Sequence, residues 1–203
     1  MKNTIFSFLL AICALSSPSQ AGVFNIPEFV EYKSWAVGLE PELTLSTYGN
    51  TGESGLGFNA KFTYGFSPLS NLQFGIGNGS GSKGFRLGGT YSFDFIPDLQ
   101  GQLGFGVAAQ AYYIKLKDST AQTEFTAYPY LHKGFPGSNG FVFDPYIALP
   151  LGLAFYSGTY RTILQGAFGC AVKTSEHFRV NGELGLSFKE TDSYLAFGIT
   201  YRD

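Results

Sequence analysis

The stretch Leu56-Gly57-Phe58-Asn59-Ala60-Lys61-Phe62-Thr63-Tyr64-Gly65-Phe66 decides the fold. Every even-numbered residue in it is apolar and every odd-numbered one is small or polar. A period of two puts these sets on opposite faces of an extended strand. The preceding stretch sets Trp35, Val37, Leu39, Pro41, Leu43 and Leu45 against Ala36, Gly38, Glu40, Glu42 and Thr44. Downstream, Leu72, Phe74 and Ile76 oppose Gln73 and Gly75; Phe85, Leu87, Tyr91, Phe93 and Phe95 then oppose Arg86, Gly88, Thr90, Ser92 and Asp94.

The second half continues in kind. Leu103, Phe105, Val107 and Ala109 oppose Gln102, Gly104, Gly106, Ala108 and Gln110, and the phase then blurs at Tyr112-Tyr113-Ile114, where a β-bulge is expected. The run Thr123–Lys133, with Pro129 in its middle, has the weakest pattern. The run Phe143–Phe155 and those around Phe168, Leu184 and Phe197 alternate again. About ten antiparallel strands result, with eight or twelve as alternatives. Pro41, Pro145 and Pro150 should leave local ladder gaps, because proline has no N–H to donate.

The N-terminus reads Met1-Lys2-Asn3, an apolar run from Ile5 to Leu15, then Ser16-Ser17-Pro18-Ser19-Gln20-Ala21. This is the pattern of a secretory signal peptide cut after Ala21. The apolar run is too short to span a bilayer, which takes about 20 residues. Cys13 raises a lipoprotein reading, but Ile12 before it is bulky where such signals carry a small residue. Residues 22–33 lack alternation and form a short lead-in; 34–203 form the one domain. Without residues 1–21 the chain carries 12 basic and 15 acidic side chains, net −3, which provides no general attraction for nucleic acid. Cys170 is then the only cysteine, so no internal disulfide can form. The whole chain has 27 glycines, 21 phenylalanines and only 14% charged residues, against about 25% in ordinary soluble domains.

Volume decides which face meets water. The apolar face carries most of the large side chains, too many for the inside of a small barrel. The other face is rich in Gly, Ala, Ser and Thr, which a narrow lumen can hold. The apolar face therefore points into lipid, where every backbone polar group must be paired and the sheet must close. Trp35, Phe66, Phe95, Phe143, Phe178 and Tyr201 fall on outward positions at one set of strand ends, as an interfacial aromatic girdle requires. With a periplasmic N-terminus that end is periplasmic. Short loops around Gly49–Ser54, Asn78–Lys83, Lys117–Gln122, Ser157–Tyr160 and Glu190–Ser193 are then external.

Over residues 34–203 the chain resembles the bacterial outer-membrane β-barrel class. Leu195-Ala-Phe-Gly-Ile-Thr-Tyr201 is similar to the C-terminal insertion signal of that class, although Arg202-Asp203 follow the aromatic. The resemblance implies an all-β, up-and-down transmembrane barrel in the outer membrane, with its lipid and the barrel-insertion machinery as partners.

Glu40, Lys61 and Glu183 are inward positions about five residues above the girdle, with Arg179 and Arg202 nearby. Together they form a candidate charge-paired plug, since a lone buried charge is costly. The histidines make no site: His177 falls in a turn, His132 near the end of the weakest strand, and no carboxylate or serine partner is evident for either. Cys170 lies on the lipid face. Gly75–Gly81 lacks the helix a nucleotide loop needs, and Asn78-Gly79-Ser80 is a formal glycosylation sequon only. No metal spacing, cofactor motif or catalytic group is present. A non-enzymatic barrel with a structural, adhesive or narrow-pore role leads. The alternatives are a barrel enzyme acting on lipid or peptide and a soluble secreted β-barrel binding an apolar ligand.

Overall fold

The computed structural model describes residues 30–45, 54–79, 83–99, 102–117, 121–137, 140–189 and 191–203. The signal peptide, residues 22–29 of the lead-in, residues 49–53 and Ser80 of the sequon lie outside them. The described chain forms twelve strands: β1 (Trp35–Leu45), β2 (Gly55–Ser67), β3 (Ser70–Asn78), β4 (Lys83–Ile96), β5 (Gly104–Leu116), β6 (Gln122–His132), β7 (Phe135–Pro136), β8 (Val142–Ala148), β9 (Leu151–Tyr156), β10 (Thr159–Lys173), β11 (Phe178–Lys189) and β12 (Ser193–Arg202). All pairings are antiparallel, and β12 returns to β1, with Val37 opposite Tyr201 and Leu43 opposite Leu195. The sheet is closed.

There are ten staves. β8 and β9 both pair with β6 and β10, so they are halves of one stave interrupted at Leu149-Pro150. The two-residue β7 pairs only with β8. Proline explains the interruption: Pro150 accepts from the Gln165 N–H at 3.0 Å but has no N–H to return. At Pro41 the β1–β12 register passes from Leu39↔Ile199 to Glu42↔Ala196, a second gap.

The polarity is inside-out. Leu39 is 63% exposed and Phe62 43%, whereas Glu42 is wholly buried and Glu183 nearly so. Soluble monomers rarely expose contiguous apolar patches beyond a few hundred Å². Here the apolar band encircles the wall, so the molecule is a transmembrane barrel with a polar interior. Trp35, Phe66, Phe95, Phe143, Phe178 and Tyr201 are all exposed at the end that carries the C-terminus. Trp35 and Phe178 contact Tyr201, with ring centroids 5.9 and 5.5 Å apart. This is called the terminal end below, and the opposite one the loop end.

Two expectations are corrected. No bulge occurs at Tyr112–Ile114: β5 pairs with β6 without interruption from Gly104↔His132 to Ile114↔Gln122. The phase blurred because Ile114 and Leu116 are apolar yet buried inside, leaving Tyr113 outward. Lys83 is not in a loop; it begins β4 and is 2% exposed.

The described end of the lead-in, residues 30–33, packs at the terminal mouth. The Val30 N–H donates to Asn71 Oδ1 at 3.2 Å, and the Lys33 N–H donates to the Gly65 carbonyl at 2.9 Å. A Cβ at position 65 would collide with the backbone carbonyls of Val30 and Glu31, so only glycine admits this approach.

Candidate functional site

The lumen of the barrel is filled with side chains, as is usual for a small barrel. Inward side chains come from alternate positions of every stave, and they meet in three tiers.

Near the loop end, Glu42 of β1 is the hub. It lies 3.2 Å from Lys83 Nζ and 2.6 Å from Arg86 Nη2, both on β4. The Arg86 Nε–H donates to Asn59 Oδ1 at 2.6 Å, and Asn59 Nδ2 and the Thr44 hydroxyl donate to Glu42 at 3.2 and 3.1 Å. Around it, Gln122 donates to Glu124 at 2.6 Å and Gln165 to the Asp192 carbonyl at 2.9 Å. Asp192 sits in the β11–β12 turn, beyond the strands. Burial pushes its carboxyl up to about 6, against the opposing pull of Lys83.

In the middle tier Lys61 Nζ lies 2.5 Å from Glu40 Oε2, and Asn181 Nδ2 donates to Glu40 Oε1 at 2.6 Å. Glu183 accepts from the hydroxyls of Tyr146 at 2.6 Å and Tyr194 at 2.5 Å. Glu40, Lys61, Arg179 and Tyr146 border one cavity of about 30 Å³. That is room for a water or two. Arg202 is not on that cavity; it lies further toward the terminal end, opposite Ala36.

At the terminal end Asp94 accepts from the Tyr130 hydroxyl at 2.7 Å. His132 lies between two carboxylates, with Nε2 3.3 Å from Asp94 and Nδ1 3.6 Å from Asp144. Asp94 is 38 residues away on β4, and Asp144 meets the ring only through the β6–β8 register, so neither partner shows in a local pattern. His177 is exposed in its turn, its Nδ1 3.1 Å from the Arg202 carbonyl. Cys170 is half-buried, out of phase with the inward Ala171.

The inward glycines have a specific role. Tyr112, Tyr130, Tyr146 and Tyr194 stand directly opposite Gly88, Gly106, Gly169 and Gly185 on the neighbouring stave. A Cβ at any of these glycines would come within 2.6 Å of the facing tyrosine's side chain. Each tyrosine side chain occupies the space a side chain at its glycine would take, a cross-strand aromatic–glycine pairing of the kind that steadies sheets. Small residues therefore admit rings and do not leave the lumen open. Tyrosine is as much a lumen residue here as a lipid-facing one.

No group of three or more His, Cys, Asp or Glu suited to a metal ion occurs among the described residues. No protein-family model matches the chain, and no curated protein sequence matches it. Among solved structures, the chain is similar to an outer membrane channel from Pseudomonas putida F1, at 8% identity over 91% of this chain and 100% of that one, with a TM-score of 0.49. It is similar to the beta domain of the Bordetella autotransporter BrkA, at 10% identity over 84% and 98%, with a TM-score of 0.45. The KdgM porin shares 12% identity over 82% and 98%, with a TM-score of 0.41.

Proposed function

We propose that the chain is a closed, non-enzymatic structural barrel of a Gram-negative outer membrane, exported by a signal peptide cut after Ala21. Its terminal end faces the periplasm and its loop end the outside. The observation that carries this reading is the lumen: three tiers of paired charges and tyrosines, with interior cavities of about 10 and 30 Å³ around Arg86 and Lys61. Open aqueous channels come with about 16–18 strands, not ten. Glu40, Lys61, Arg179 and Glu183, with Arg202 at the mouth, serve as the plug. Outer-membrane lipid and the insertion machinery are the partners this role requires.

A catalytic use of His132 is less well supported. Both its ring nitrogens face carboxylates, so neither is left to take a proton from a substrate. An interior apolar ligand fits no better, because the apolar side chains face out.

The test is reconstitution of the folded mature chain into planar bilayers. Conductance indistinguishable from bare lipid is expected, and sustained open steps would overturn the proposal. Envelope fractionation should place the chain with the outer membrane.

A further inference from the structure

One arc of the terminal mouth is dry and the facing arc is not. Ser70, Asn71, Ser92 and Asp94 stand near the terminal ends of β3 and β4, and each is 3% exposed or less. Lys173, Arg179 and Arg202 hold comparable places at the ends of β10, β11 and β12 and are only half-buried. The described end of the lead-in lies over the dry arc.

Its path is set by main-chain bonds. The Gly65 N–H donates to the Ser34 carbonyl at 3.0 Å and the Lys33 N–H to the Gly65 carbonyl at 2.9 Å, extending the β1–β2 ladder beyond Trp35. The Ser34 N–H then donates to the Glu31 carbonyl at 2.9 Å, which closes a turn over Glu31–Ser34. Lys33, third in that turn, has φ of 70°, a value the third position of a type II turn demands and lysine rarely adopts. Such strain persists only where the surroundings hold it, and it gathers at clamps and switches. The turn reverses the chain over the rim and sets Val30, 5% exposed, beside Asn71, whose Oδ1 accepts the Val30 N–H at 3.2 Å. Asn71 stands opposite Gly65 on one side and Ser92 on the other. Gly65 leaves the space: a Cβ there would overlap the carbonyls of Val30 and Glu31.

We propose that residues 30–34 are a releasable stopper of the terminal mouth, with Val30 as its apolar cork, Gly65 as its seat and Asn71 as its latch. Lifting it admits water to Ser92 and Asp94. The bonds that hold the stopper lie outside the β1–β12 and β2–β3 ladders, so it can leave with the wall intact. The inference goes beyond the closed-barrel reading: it concerns entry of water from one mouth, and bilayer conductance decides the closed lumen separately.

The test reads thiol reactivity toward a charged methanethiosulfonate in the folded mature chain, in detergent micelles, with Cys170→Ala as background. Ser92→Cys reports beneath the stopper and Thr200→Cys reports the facing arc. Gly65→Ala pushes the stopper off its seat. Val30→Asp spoils the cork without altering a strand residue, and it carries the test if Gly65→Ala loses heat-modifiable gel mobility. Each should speed labelling of Ser92→Cys at least tenfold and leave that of Thr200→Cys within twofold. A smaller acceleration at Ser92→Cys, or an equal one at both reporters, overturns the proposal.

Discussion

Gly169→Ala and Gly182→Ala form a matched pair that tests whether the lumen is packed. Gly169 of β10 faces inward and Gly182 of β11 faces lipid, one residue out of register across the same ladder. A Cβ at Gly169 would lie 2.1 Å from Tyr146 Cζ, a contact no real Cβ makes, whereas one at Gly182 meets Phe197 at an ordinary 3.6 Å. Tyr146 is boxed in and cannot swing aside without breaking its 2.6 Å bond to Glu183. Overpacking of this kind costs about 1–3 kcal/mol. Loss of a hydrogen bond to a buried carboxylate adds about 1.5–3 kcal/mol. Against these stands a gain of about 0.5–1 kcal/mol for replacing a strand glycine by alanine. Gly169→Ala should therefore destabilise the barrel by about 1.5–5.5 kcal/mol by this accounting, with Gly182→Ala neutral or slightly stabilising. Urea unfolding in lipid vesicles, followed by tyrosine and tryptophan fluorescence, measures both. If the two variants unfold within about 0.5 kcal/mol of each other, the ring-over-glycine packing of the lumen is wrong.

Glu42→Gln leaves Lys83 and Arg86 facing a neutral amide, and removing one partner of a buried ion pair costs about 3–5 kcal/mol. Adding Lys83→Met to it should recover part of that loss in the same unfolding assay, and strict additivity would argue against a shared network. Lys61→Met should lower the temperature at which the barrel loses its compact gel mobility, because Glu40 loses its cation; an unchanged midpoint would speak against the plug. Phe62→Arg places a charge on the lipid face and should cost about 2–4 kcal/mol if that position is near the bilayer midplane. Stability unaltered in vesicles would contradict the outward orientation of β2.

The period-two pattern was sufficient for facing. Leu39, Phe62 and Leu184 point out and Glu40, Thr63 and Glu183 point in, because on a strand with two unlike faces the pleat leaves no other arrangement. It failed where both faces are apolar. At Tyr112–Ile114 an inward tyrosine and isoleucine hid an unbroken strand, and in β6 the inward Tyr128 and Tyr130 flank an outward Pro129. The Glu40–Lys61 contact was within reach because β1 and β2 are adjacent in the chain. The Glu42–Lys83–Arg86 hub was not: it joins β1 to β4 across two intervening staves, so it depends on register and curvature that no local pattern encodes. Lys83 also sat at the edge of a glycine- and serine-rich stretch, where lysine ordinarily means loop.

The charges inside argue the nature of the barrel more sharply than its size does. Every carboxylate on a described strand points inward: Glu40, Glu42, Asp94, Glu124, Asp144 and Glu183. Lys61, Lys83, Arg86 and His132 meet four of them directly, while Glu124 and Glu183 accept from glutamine and tyrosine. A selective pore lines its lumen with one sign left uncompensated, so that a mobile ion completes the pairing. Here the fixed groups complete it for one another. Such networks rarely add net stability over an apolar filling. An apolar filling, however, would make the two faces of each strand alike and remove the contrast that tells the chain which side meets lipid. A barrel that needs its lumen closed, and still needs an unambiguous outside, has to be filled with polar groups that satisfy each other.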